Sequence, residues 1–220
     1  WQGARDDFAV QYGNVDASLA ALEVAAKLGC RRFICTGSQA EYGLQLGPVT
    51  EETLPMPVNA YGAAKLATCY LTKRRAEQLG IEWVWGRIFS LYGKYEPDTT
   101  LLSYLVASLQ QGISPMLTAA IQNWDYLYSE DGAAALVALA EAGHSGEIYN
   151  IANGNYRPLK EFTEEVHEYF APELTIHYGE EARQIVSLQP VVEKIRRDTG
   201  WQAKTPFMEG LLKAVALGKC

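Results

Sequence analysis

Hydrophobic positions along the chain alternate between two spacings. From Asn14 to Gly29, the residues Val15, Leu19, Leu22, Val24, Ala25 and Leu28 recur at helical intervals and predict an amphipathic helix. Asn14, or Asp16 two residues on, is placed to cap its start, and Gly29 to end it. Arg31 and Arg32 then lead into Phe33-Ile34-Cys35-Thr36. A short apolar run of this kind suits a strand buried on both faces of a parallel sheet. Gly37-Ser38 ends it. A stretch broken by Gly43, Gly47, Pro48, Pro55 and Pro57 reads as irregular. Helical spacing returns from Tyr61 and stops near Gly80. Ile81 to Trp85 predicts a second buried strand, followed by a loop from Gly86 to Gly93. Helix, strand, helix, strand is the alternation of a parallel sheet, so the predicted class is α/β.

Beyond Pro97 the pattern changes. Helices are predicted over 100–111, 131–142, 159–170, 190–199 and 207–217. Strands are predicted over 126–128, 147–151 and 174–176, with a turn at Asn153-Gly154-Asn155. No internal repeat or low-complexity segment interrupts this order.

Composition narrows the functional classes. With 48% hydrophobic and 20% charged residues the chain is a packed globular protein rather than a disordered one. Its 220 residues suit one or two domains. A net charge of −7 argues against nucleic-acid or anionic-membrane partners. No apolar run reaches membrane-spanning length, and nothing like a signal peptide opens the chain. Cys30, Cys35, Cys69 and Cys220 show no disulfide or metal spacing, and Cys35 and Cys69 sit in apolar runs. His144, His167 and His177 are scattered, so no metal site is expected. A cytoplasmic setting is the expectation. The chain begins at Trp1, with no strand-like run before its first helix, and reads as one missing its beginning.

The candidate chemistry lies in Tyr61-Gly62-Ala63-Ala64-Lys65. Positions i and i+4 share a helix face, so phenol and ammonium point the same way. A fixed cation beside a phenol favours the phenolate, which makes a tunable acid/base at a carbonyl or hydroxyl carbon. A second pair, Tyr156 and Lys160, has the same spacing. Pro158 places Tyr156 before the helix that holds Lys160, so that pair does not share a face. Ser38 ends the first strand, where a hydroxyl can relay a proton. Arg87 and Ser90 follow the second strand, on the same edge of an open α/β sheet. Taken singly, Ser38 suits a turn or cap, Tyr61 a packing role, Lys65 a solvated helix face and Asn14 a helix cap. Together and in this order they favour a site.

In this context Ser38, Tyr61 and Lys65 resemble the Ser-Tyr-Lys set of extended short-chain dehydrogenases/reductases. More narrowly, the chain resembles the NAD-dependent epimerase/dehydratase family. The resemblance is carried by residues 32–43 with Ser38 and Tyr42-Gly43, by Tyr61 to Lys65, and by Arg87-Ile88-Phe89-Ser90-Leu91-Tyr92-Gly93. It continues through residues 125–131, Ile148 to Gly154, Thr199-Gly200-Trp201 and Glu209-Gly210-Leu211. It implies a partial Rossmann-type, doubly wound parallel sheet over 1–96. Residues 97–220 would supply a smaller α/β substrate lobe, interleaved with the last strands of the sheet. It implies Ser38, Tyr61 and Lys65 as catalytic, and Asn14, Thr36, Gly37, Tyr61, Lys65, Arg87 and Phe89 as holding NAD or NADP. Ser38, Gln39, Ser90 and Trp124 would face a nucleotide-linked sugar. A homodimer through helices 14–29 and 59–79 is also implied.

The departures from the family pattern matter. No glycine-rich turn for a dinucleotide pyrophosphate precedes Asn14. Ser90 replaces the family's Asn, and Trp124 replaces the Arg that family members use on the diphosphate. Gln39-Ala40 stand where 4,6-dehydratases carry Asp-Glu, which disfavours elimination. Epimerisation or keto-reduction is the expected reaction. The alternatives are a catalytically silent fragment and an NAD(P)-binding regulatory relative.

Overall fold

In the computed structural model, residues 3–180 and 186–216 are described. Trp1, Leu217 and Cys220, which entered the sequence reading, lie outside them. A 3₁₀ turn, Gly3–Asp6, leads into α1 (Phe8–Lys27), which starts well before the expected Asn14. The cause is Asp7, whose carboxylate accepts the N–H groups of Ala9 at 2.9 Å and Val10 at 3.1 Å. Asn14 therefore lies inside an exposed stretch of helix and caps nothing. Its Nδ2 donates to Gln11 Oε1 at 3.2 Å.

Strand β1 (Arg32–Ser38) follows, then α2 (Ala60–Leu79) and β2 (Glu82–Ile88). Two side chains hold the first turn of α2. Asn59 accepts the Gly62 N–H at 2.8 Å, and Asp6 accepts the Ala60 N–H at 3.0 Å. Gly80 ends the helix in the left-handed region, at φ 66°. Both strands run further than the apolar runs suggest. Their parallel register continues from Arg32↔Glu82 to Ser38↔Ile88, so the ladder extends through Gly37 and Arg87. Residues 86–88, expected in a loop, are held as strand by a second partner on the other side.

That partner is β7 (Ile148–Ile151), which gives a parallel three-stranded sheet in the order β1-β2-β7. Between β2 and β7 the chain forms β3 (Ser90–Tyr92), α3 (Leu101–Gln110), β4 (Met116–Leu117), β5 (Asn123–Trp124), β6 (Tyr126–Tyr128) and α4 (Ser129–Ala142). After β7 come β8 (Arg157–Pro158), α5 (Leu159–Phe170), β9 (His177–Tyr178), α6 (Glu193–Thr199) and α7 (Phe207–Ala216). The strand expected at 174–176 lies instead at β9, fixed by its parallel pairing with β4. The helix expected from Pro190 starts at Glu193, because Pro190 bridges to Val49. β3 pairs with β6, and β5 with β8.

Alternation along β2 explains the layers. Trp83 and Trp85 face one way and pack with Leu22 of α1 and with Cys69 and Ala76 of α2. Val84 faces the other way and packs with Ala135 and Leu139 of α4 and Ile195 of α6. Helices thus cover both faces of the sheet. A separate core joins β3, α3, β6, α5 and α7 around Tyr92, Leu102, Leu105, Tyr126, Phe162 and Phe207. Leu102, Leu105 and Leu211 are fully buried there. Each contributes about 1.5–3 kcal/mol by removal from water.

Candidate active site

The carboxyl ends of β1 and β2 open towards the first turn of α2. The approach is close because Gly62 has no side chain. A Cβ there would stand 2.4 Å from the Ala40 carbonyl oxygen. The turn after Ser38 can therefore lie directly on the helix that carries Tyr61 and Lys65.

The result is a cleft of about 410 Å³. Its lining brings together Thr36, Gly37, Ser38, Gln39, Tyr61, Lys65, Phe89, Ser90 and Trp124, all singled out from the sequence. Arg5, Ile88, Leu91 and Leu188 complete it.

The Lys65 ammonium donates to the Thr36 carbonyl at 2.9 Å, which pins it against the end of β1. It lies 6.0 Å from the centroid of the Tyr61 ring. The Arg5 guanidinium lies 5.4 Å from the same centroid. Ser38 caps a 3₁₀ turn, Gln39–Glu41, in a capping box. Its Oγ accepts the Ala40 N–H at 3.2 Å, and its own N–H donates to Glu41 Oε1 at 2.8 Å. The cap role and the cleft role coexist. The cap uses an oxygen lone pair, and the hydroxyl proton is still available to donate. Opposite, the Trp124 indole N–H donates to Ser90 Oγ at 3.1 Å. The two departures from the family pattern are thus joined by a hydrogen bond.

Two expected cofactor contacts are placed elsewhere. Asn14 is exposed on α1 and does not line the cleft. Arg87 is 1% exposed. It donates to Glu41 Oε2 at 2.7 Å and stacks over the Tyr42 ring at 4.4 Å. Its position within the β2 ladder directs it into the layer beneath the cleft. The second Tyr/Lys pair is also apart from the cleft. Tyr156 precedes α5, and Lys160 lies near Glu164 at 3.7 Å and over the Tyr178 ring at 4.7 Å.

Two contributors were missed from sequence. Arg5 lies upstream of the first predicted helix, in a stretch with no periodic signal. Glu41 had a readable signal, the Ser38-x-x-Glu41 capping-box spacing. Behind the cleft, buried Asp125 accepts the N–H groups of Asn153 and Gly154, both at 2.8 Å, and holds the turn after β7. Burial pushes its carboxyl up to about 6, against the pull of those N–H groups. Among the described residues, no group of His, Cys, Asp or Glu is arranged to hold a metal, and no helix is long and apolar enough to cross a membrane.

A helix-borne Tyr/Lys pair at the carboxyl edge of a parallel sheet, with helices on both faces, defines an open α/β protein with a ligand cleft at that edge. A sequence model of the NAD dependent epimerase/dehydratase family matches residues 3–152, and the chain belongs to that family. A mouse dTDP-D-glucose 4,6-dehydratase is 23% identical over 218 residues, 94% of this chain and 61% of that protein. A UDP-N-acetylglucosamine 4-epimerase from Methanobrevibacter ruminantium M1, solved with UDP-N-acetylmuramic acid, superposes with a TM-score of 0.88 at 20% identity. The alignment covers 98% of this chain and 72% of that one. The RMD protein of Pseudomonas aeruginosa, solved with NADPH, gives 0.87 at 22% identity, covering 97% and 75%. These likenesses establish the Rossmann-type fold. The chain spans about half to two-thirds of the length of the curated relatives it matches.

Proposed function

We propose that this chain carries the chemical end of an NAD(P)-dependent enzyme that epimerises or reduces a nucleotide-linked sugar. The observation that supports it most is the meeting of Ser38, Tyr61 and Lys65 in one cleft. Tyr61 takes or returns the proton of a sugar hydroxyl. Lys65 assists from the next turn of the helix, its ammonium fixed at the Thr36 carbonyl, and Ser38 hydrogen-bonds the reacting oxygen.

NAD or NADP supplies the hydride acceptor or donor when bound. The residues present fit its nicotinamide end. Thr36 and Gly37 line the cleft at the end of β1, Lys65 presents its amine there, and Phe89 adds an apolar ring to the lining. Gln39, Ser90 and Trp124 face the sugar side. Residues 97–220 provide most of the substrate lobe. The reading includes a cytoplasmic setting and pairing of two copies through α1 and α2, where Phe8 and Tyr12 are 79% and 77% exposed. Sedimentation equilibrium checks the pairing.

The test is a panel of UDP- and dTDP-hexoses with NAD or NADPH, using the enzyme that contains this chain. Tyr61→Phe should lower turnover on the order of a hundredfold to ten-thousandfold with little change in folding. Near-normal turnover in that variant would sink the assignment. Turnover without net reductant marks epimerisation, and stoichiometric NADPH oxidation marks reduction.

A further inference from the structure

Glu41 is fully buried, although nothing in the proposed chemistry requires a carboxylate there. Every contact of this carboxylate holds one end of the cleft. Oε1 accepts the Ser38 N–H at 2.8 Å and the Trp85 indole N–H at 3.1 Å. Oε2 accepts the Arg87 Nε–H at 2.7 Å. The end of β1 is thereby tied to two residues of the neighbouring strand through one side chain. Arg87 is held in turn by the Tyr42 ring, 4.4 Å from its guanidinium. Gly37 makes the insertion possible, since a Cβ there would lie 2.3 Å from Glu41 Oε1 and 2.1 Å from Trp85 Nε1.

A buried ion pair is a poor way to gain stability. Well-packed apolar side chains of similar volume do as well or better, whereas removing one partner leaves an uncompensated charge. What the pair adds is direction. Charge-assisted hydrogen bonds at fixed angles set the Ser38 backbone, and with it the Ser38 side chain that caps the following turn.

We infer that Glu41, braced by Arg87, is a positioning residue that fixes the Ser38 hydroxyl at the cleft. The inference rests on the proposed role of Ser38, and the experiment separates the two. The first readout is nitrogen–proton NMR of the labelled chain. The Ser38 amide and Trp85 indole protons should lie far downfield in the parent and move upfield in Glu41→Gln. The Ser38 side-chain couplings should change from one rotamer to an average. The second readout is kinetic, on whichever panel substrate loses turnover with Tyr61→Phe. There Glu41→Gln should lower kcat on the order of a hundredfold at nearly constant KM. In a Ser38→Ala background it should add nothing.

Additive effects of Glu41→Gln and Ser38→Ala, or a single Ser38 rotamer kept in the variant, overturn the inference. A Tyr61→Phe enzyme of unchanged activity overturns the catalytic reading instead, and the NMR then decides the anchor alone. If Glu41→Gln folds poorly, Glu41→Gln/Arg87→Met leaves no unpaired buried charge and carries the same readouts.

Discussion

Replacing Gly62 by alanine tests how closely the turn after β1 must lie on α2. The added methyl would meet the Ala40 carbonyl oxygen at 2.4 Å, and the Ala40 carbon and Pro57 Cβ at 3.0 Å. These are backbone and ring atoms that cannot rotate aside, so the turn and helix must separate. Overpacking of this kind costs about 1–3 kcal/mol. Alanine in a helix returns up to about 1 kcal/mol over glycine. Gly13 in α1 is the matched control, because a Cβ there meets nothing within 4 Å. Gly13→Ala should stabilise by about 0.5–1 kcal/mol. Urea unfolding followed by far-ultraviolet circular dichroism should therefore rank Gly13→Ala above the parent. Gly62→Ala should fall below Gly13→Ala by about 1–3 kcal/mol. Equal stability of the two variants would refute the close approach, and with it the account of how Ser38 reaches Tyr61.

Two further outcomes follow from buried groups. Burial pushes the Tyr42 phenol up to about 12, while in the unfolded chain it ionises near 10. The neutral ring therefore contributes stability that is complete below pH 10 and is lost as pH rises towards 12. The loss amounts to about 3 kcal/mol. Denaturant melts across that window should show the slope, and Tyr42→Phe should reduce it by that share, leaving the part due to the other raised phenols, Tyr126 and Tyr149 among them. Asp125→Ala leaves the N–H groups of Asn153 and Gly154 buried without their acceptor. It should lower the unfolding free energy by about 2–5 kcal/mol in the same urea assay.

Much of the sheet was readable because both of its first strands are apolar runs set between helices of clear period. The cleft was readable where a residue's role follows from its element. Tyr61 and Lys65 lie one turn apart on α2, and Ser38 ends β1. Arg87 was misplaced because topology assigns it to the right edge but cannot say whether a side chain points into the cleft or beneath it. The ladder with β7 settled that, through partners more than sixty positions away in sequence. Asn14 was misread because its own cap propensity is good, and only the tertiary structure shows Asp7 starting the helix earlier. The short strands β4, β5, β8 and β9 carry no periodicity of their own. Each is two residues long and exists only because its partner is brought to it.

The place of β7 in the sheet also bears on folding kinetics. Between Ile88 and Ile148 the chain runs through β3, α3, β6 and α4 before it returns as the third strand beside β2. Local contacts can form α1, α2 and the β1–β2 ladder early. Closure of the sheet waits on a long loop, whose entropy must be lost before the pairing gives anything back. A cut at 96/97 would leave the first piece with β2 unpaired on one side, and the second with β7 as a strand without a sheet. Folding intermediates should therefore expose the β2 edge, with Trp85 and Arg87 still awaiting their final neighbours. The cleft would be among the last parts of the molecule to become rigid.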